Sequence, residues 1–231
     1  MTVSLLRGIL IRIHNFKPGA VMKYIILVVI LAIVILVAML SLTVYRDRIK
    51  ATFYIDHMER EERTSRMHID RILDTLNIRK GDKIADVGAG SGLFSRKMAE
   101  RAGSGGKVYA IDINPDLLSH IERDIAARGI GNIQTVLSVE SDPKIPEPVD
   151  LVFICDTLHY VDKQPEFVKK MSAGTRASGR IAVISFFKNW PPMSKKFTAE
   201  ELTSWMKAAG LILEGRHDFI QDEFLMIFRK K

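Results

Sequence analysis

One cysteine, Cys155, occurs in 231 residues. That excludes an internal disulfide and a metal site built on several thiolates, and it fits a reducing compartment. Acidic residues are missing from residues 1–45, where the only charged side chains are Arg7, Arg12, Lys17 and Lys23. Four units of the net charge of +7 therefore belong to this leader. Residues 46–231 carry 30 basic and 27 acidic side chains, a near balance that provides no footprint for a nucleic-acid backbone. Charge is absent altogether from the 22 residues of 24–45, which have a tyrosine at each end. At about 1.5 Å per residue a helix of that length crosses the hydrocarbon core. The run is longer than the roughly 7–15 apolar residues of a signal peptide, and no clear A-x-A cleavage site follows it. A retained membrane span is expected. Before it, residues 4–16 alternate bulky apolar and basic side chains and read either as a segment lying on an anionic membrane or as an unstructured basic leader.

The stretch around which the rest is organised is IADVGAGSGLF, residues 84–94. Ile84 to Val87 read as the end of a buried strand; Gly88, Gly90 and Gly92 make a turn; Leu93 to Arg101 resumes at helical spacing. Such a turn lets a ligand lie against bare backbone in front of unpaired helix N–H groups. Twenty residues past Gly92, the apolar run KVYAID ends on Asp112, placed to accept hydrogen bonds from a ribose diol. A dinucleotide and an adenosyl sulfonium both suit these features. The dinucleotide fingerprint is G-x-G-x-x-G, whereas the spacing here is G-x-G-x-G with Asp86 two residues upstream.

Residues 46–64 are rich in both charges and read as a juxtamembrane linker or helix. Met67, Ile69, Ile72, Leu73 and Leu76 recur at helical spacing ahead of the first strand. From Lys83 onward strands and helices alternate about every dozen residues, the pattern of a doubly wound parallel sheet. The further strands are 107–112, 132–138, 149–155 and 180–187, with helices from Pro115 to about Arg128 and over 163–173. Thr198 caps a helix with the stripe Leu202, Trp205, Met206 and Ala209. Two apolar strands follow, near 211–217 and 222–229, joined without a helix and so paired as an antiparallel hairpin.

Together IADVGAGSG, VYAIDINPDLL, VDLVFICDTLHYV, the small-residue turn before RIAVISFF and FTAEELTSWMKAAGL resemble the class I S-adenosylmethionine-dependent methyltransferases, over residues 59–231. The resemblance implies a seven-stranded Rossmann-like sheet with an antiparallel last strand. It implies that Gly88, Ala89, Gly90 and Gly92 bring backbone up to the methionine part of S-adenosylmethionine. Asp86 would hold that loop or meet the ammonium group, Asp112 would take the ribose hydroxyls, and Ile113 would pack on the adenine. Glu140 or Asp142 would contact the adenine amino group, Arg63 would reach the cofactor's carboxylate, and Asp156 would stand at the carboxyl end of the fourth strand. His159 is read either as the base for an acceptor that must lose a proton or as a structural histidine, and Tyr160 as packing.

Absences narrow the acceptor. No Asn/Asp-Pro-Pro-aromatic run follows the fourth strand, the pattern of methylases acting on planar nitrogens; Asn189-Trp190-Pro191-Pro192 lies after the fifth and reads as a rigid loop. Cys155 follows Ile154, not a proline, and is expected to lie buried in the strand. A lone cysteine does not serve arsenite methylation, and no metal is expected. The expected organisation is a basic leader at 1–23, a span at 24–45, a linker at 46–64 and a methyltransferase domain at 65–231. The expected acceptor is a small or lipid-like molecule, a quinone among them, with a membrane-associated protein or binding without turnover as the alternatives. Basic residues are similar in number on both sides of the span, so charge does not decide topology. A domain using S-adenosylmethionine is expected to face the cytosol, where that molecule is made.

Overall fold

The computed structural model describes residues 18–187 and 197–231. The leader read at 4–16 and the loop read at 188–196 lie outside the described residues. The chain divides into two compact units, Met1–Lys50 and Ala51–Lys231. Helix α1, Pro18–Glu59, begins in the first of them. Within it Met22–Ser41 is exposed along its length and is long and apolar enough to cross a membrane.

The second unit opens with the end of α1, then α2 (Glu61–Met67) and α3 (Ile69–Leu76). The apolar spacing of this region predicts one helix, but His68 at φ 52° breaks it in two. The break lets Met67 and Ile69, close neighbours in the chain, both enter the core; on one continuous helix such near neighbours point in different directions. The sheet strands are β1 (Lys83–Val87), β2 (Lys107–Asp112), β3 (Ile133–Leu137), β4 (Val149–Cys155), β5 (Thr175–Phe186), β6 (Leu211–Ile220) and β7 (Glu223–Lys230). The connecting helices are α4 (Leu93–Ala102), α5 (Pro115–Ala127), α6 (Gln164–Ala173) and α7 (Ala199–Ala208).

The strand order is β3-β2-β1-β4-β5-β7-β6. The first five strands pair parallel, and β7 runs antiparallel between β5 and β6, the seven-stranded Rossmann-like arrangement expected. Central strands such as β4 are apolar on both faces because helices cover both. One face packs Ile72, Met98 and Ile121 from α3, α4 and α5. The other packs Phe167, Met171, Leu202 and Met206 from α6 and α7. Local chemistry sets the helix starts. Pro115 opens α5 with the Asn114 side chain accepting the Asp116 N–H, and Thr198 and Glu201 close a capping box on α7.

Two boundaries differ from the sequence reading. β5 starts at Thr175, five residues early, with an irregularity in its pairing to β4. β6 runs on to Ile220, so the hairpin turns on Gln221 and Asp222 alone, Asp222 at φ 63°. Most of β6 faces solvent at the sheet edge. Its polar sequence therefore reads as a link although it is a strand.

Candidate functional site

The site is built where the parallel strands end, the edge at which open α/β sheets bind ligands. After β1 the chain turns through Gly88 and Gly90, with φ of 77° and 56°. A Cβ on Gly88 would lie 2.1 Å from Thr157 Oγ1, and one on Gly90 would lie 2.6 Å from the Met58 sulfur. Glycine is required at both for conformation and for space. The amides of Gly88 and Ala89 both donate to the Ile111 carbonyl, at 2.8 and 3.0 Å, which fastens the turn to β2.

Asp112, at the tip of β2 and 8% exposed, stands across that turn. Its Oδ2 accepts the Gly90 N–H at 3.0 Å and its Oδ1 accepts the Asn114 N–H at 2.9 Å. Each oxygen keeps a further lone pair, enough for two hydroxyl donors. Burial raises its pKa against the opposing pull of these amides. Asp86 is more deeply buried and accepts a hydrogen bond from the Ser95 hydroxyl of α4. Burial lifts its pKa to about 7, with the charge of Asp112 adding to the rise. A cation placed beside Asp86 would restore its charged form.

These residues line a cavity of about 400 Å³, the size of a small-molecule site. Of the ten residues expected to hold the cofactor, the structure brings together Asp86, Gly88, Ala89, Gly90, Asp112, Ile113, Glu140 and Asp156. Ile113 is 55% exposed and offers an apolar platform next to Asp112. Gly92 is outside the lining; it caps α4, and a Cβ there would meet Ile121 of α5 at 2.8 Å. Asp142 is outside it too, paired with Lys170 at 3.1 Å. Between the two acids of that polar segment, Glu140 is the one on the wall.

Lining residues from outside the motifs include Met58 and Arg63, of the charged segment read as a linker, and Phe167, on a helix face. Their apolar or charged character is common to any surface helix, and only the charge cluster around Arg63 marked the region in advance. Arg63 donates to Asp156 Oδ2 at 3.1 Å, with both side chains less than a fifth exposed. Asp156 itself sits at φ 49°, a turn that lays its carboxylate along the end of β4. Its pKa is raised by burial against the pull of Arg63.

His159 lies in a single 3₁₀ turn, Leu158–Tyr160, and is not part of the lining. Its ring is 4% exposed, with centroids 4.2 Å from Tyr160 and 6.0 Å from Phe186. Burial lowers its pKa to about 4, so the ring is neutral at pH 7, below the titration range its residue type suggests. Tyr160 is 68% exposed and lines the cavity, not the packing position expected from sequence. Cys155 is only partly buried and also faces the cavity; burial pushes its thiol well up. Among the described residues no group of three or more His, Cys, Asp or Glu side chains is arranged to hold a metal.

S-adenosylmethionine would supply an already activated methyl group here, and the residues fit it: buried acids for an ammonium and a diol, bare backbone between them, and an apolar platform beside the diol site. The pattern of a family described as a methyltransferase domain matches residues 84–179. The ubiquinone/menaquinone biosynthesis C-methyltransferase of Burkholderia cenocepacia is 30% identical over 122 residues, which cover 52% of this chain and 50% of that one. The chain thus spans about half the length of the curated relatives it matches. A S-adenosylmethionine-dependent methyltransferase from Aquifex aeolicus superposes with a TM-score of 0.69 at 21% identity, covering 77% of this chain and 97% of that one. The [4+2]-cyclase SpnF superposes at 0.61 with 14% identity, covering 70% and 80%, a reminder that the fold alone names no reaction. With the glycine turn, the strand-tip acid and the inserted antiparallel strand in place, residues 84–179 match a methyltransferase domain, and the chain has the fold of S-adenosylmethionine-dependent methyltransferases.

Proposed function

We propose that this chain is a membrane-anchored methyltransferase that passes a methyl group from S-adenosylmethionine to a small, lipid-like acceptor of the quinone type. The observation that carries the reading is the cavity at the sheet edge, where Asp112 is tied to the Gly90 amide and Asp86 stands buried beside it. Asp86 meets the ammonium group, Asp112 the ribose hydroxyls, Ile113 the adenine and Glu140 the adenine amino group. Gly88, Ala89 and Gly90 let backbone reach the methionine part. Methyl transfer asks the protein chiefly to align and desolvate two reactants, and Asp156, Thr157 and Tyr160 form the wall where an acceptor meets the methyl group.

Support for the acceptor class comes from the quinone-pathway relatives and from the apolar segment Met22–Ser41. An anchor concentrates an enzyme beside a membrane-dissolved substrate. In this reading residues 1–23 are a leader, 24–45 span the membrane with the N-terminus outside, 46–64 link, and 65–231 face the cytosol as the methyltransferase domain.

The test uses the full chain in detergent micelles. Calorimetry is run with S-adenosylmethionine, its demethylated product and NAD, followed by transfer of labelled methyl to a membrane lipid extract. The expected result is binding of the first two ligands and label in the organic phase. Binding of NAD alone overturns the reading. Label in membrane protein points instead to a protein acceptor, and binding without transfer to any fraction points to a non-catalytic binder.

A further inference from the structure

Seven large apolar side chains stay exposed among the described residues of Ala51–Lys231, and two of them, Ile212 and Leu213, lie on the edge strand β6. The other five end or follow parallel strands: Ile113 after β2, Leu137 and Val139 at the end of β3, Tyr160 after β4 and Phe187 after β5. All five therefore stand at the carboxyl edge, where the cavity lies. Exposed apolar residues scattered singly need no account, but a group gathered on one side marks a binding surface. Phe187 leans on the Phe224 ring, with centroids 5.9 Å apart, and Ile113 is taken up by the adenine in the reading above. Leu137, Val139 and Tyr160 are left.

These three belong together. Val139 and Tyr160 line the cavity, and Leu137 pairs in register with Asp112 of its floor. Leu137 is 54% exposed and outside the lining, so neither the methyl donor nor its acceptor accounts for it. Tight turns hold the group out in solvent. Val139 and Asp142 exchange backbone hydrogen bonds of 3.2 and 3.0 Å, which close the loop after β3, and the Ser138 amide donates to the Asp112 carbonyl at 2.9 Å. Tyr160 is carried on its 3₁₀ turn, with the apolar ring and polar tip that suit a membrane interface.

What covers this rim follows from the way the chain enters the unit. The apolar segment ends at Ser41 and the unit begins at Ala51. The nine residues between them reach about 30 Å at full extension. Seven residues after Ala51, Met58 is already in the cavity wall with Val139 and Tyr160. The tether thus enters on the side that carries the rim. Little affinity is then needed, because a tether raises the effective concentration of the rim at the bilayer.

We propose that Leu137, Val139 and Tyr160 form a rim that rests on the bilayer surface, so that the cavity opens towards lipid and a membrane-dissolved acceptor enters without crossing water. The proposal rests on the membrane-anchored reading above. An apolar face lying on a membrane sinks only about 5–10 Å, to the interface. Lys144 and Lys163, exposed at the same edge, are matched in number by the exposed Glu140 and Asp162. The apolar side chains therefore carry the docking, and a neutral lipid suffices.

The test uses the full chain with Cys155→Ala, reconstituted in phosphatidylcholine vesicles. A fluorophore is attached to one new thiol at a time, from Leu137→Cys or Val139→Cys on the rim, or from Ser104→Cys, exposed ahead of β2 at the opposite edge of the sheet. Lipids brominated near the headgroup end of their acyl chains quench a fluorophore lying at the interface. Quenching at positions 137 and 139 should exceed that at 104 by about threefold or more if the rim lies at interfacial depth. Leu137→Asp should bring position 139 down to the level of 104, because a carboxylate stays in water, with S-adenosylmethionine affinity within about twofold of the same background. Rim positions quenched no more than 104 overturn the proposal, as does quenching at 139 that Leu137→Asp leaves unchanged. If alkaline carbonate strips the chain from the vesicles, the anchored reading falls and takes the docking with it. A chain that resists carbonate with its rim unquenched keeps its anchor and overturns the docking alone.

Discussion

Asp112 carries the most work per atom in the site. Its two oxygens hold the Gly90 and Asn114 amides before any ligand arrives, so Asp112→Ala removes both the proposed ribose partner and the brace on the turn. S-adenosylmethionine should bind roughly 10–100-fold more weakly by calorimetry, the equivalent of about 1.5–3 kcal/mol for hydrogen bonds to a charged group. Asp86 brings a pH dependence. With its carboxyl near 7 in the free protein, acid protonates it, and a ligand ammonium requires it ionised. Affinity should hold above pH 7 and fall below it, by about tenfold between pH 8 and pH 6, and Asp86→Asn should bind weakly at both. Gly88→Ala combines backbone strain at φ 77° with a Cβ that would land on Thr157; a loss of about 2 kcal/mol or more in chemical denaturation is expected.

Among the elements, α7 holds one layer of core together from outside the sheet. Leu202 and Met206 are fully buried against it, while its start depends on the reciprocal bonds of Thr198 and Glu201. Thr198→Ala should cost about 1 kcal/mol and lower the melting temperature by roughly 2–4 °C, with no change in S-adenosylmethionine affinity. The hairpin of β6 and β7 has a second consequence. Because β7 lies between β5 and β6, its first residue arrives at the ligand edge of the sheet from the opposite direction to every parallel strand.

For the whole molecule, the division at Lys50 and Ala51 separates an exposed apolar segment from a unit with its own two-layered core. A chain starting at Ala51 should be soluble without detergent and bind S-adenosylmethionine within about threefold of the full chain, whereas the full chain should sediment with membranes. Loss of folding in the shorter chain would show that residues before Ala51 contribute to the core. Slow transfer to lipid extract by the shorter chain, with normal affinity for the methyl donor, is the outcome expected if the anchor acts by concentrating enzyme beside its acceptor.

What the amino-acid order determined by itself was local and periodic. Gly88, Gly90 and Asp112 could be read because a tight turn and a strand-tip acid need those residue types at that spacing, and the parallel strands because burial on both faces leaves unbroken apolar runs. The hairpin ending followed from the lack of a helix between two strands. What the tertiary structure decided lies where distant segments meet. Arg63 and Met58 became lining because a charged helix folds back over the sheet edge, Glu140 and Asp142 were separated by a single turn of loop, and His159 proved to be a buried neutral ring. Glu223 carried no mark in the sequence at all. It is one acid among many until antiparallel pairing with β5 buries it, and burial, which no single segment encodes, is what raises its pKa.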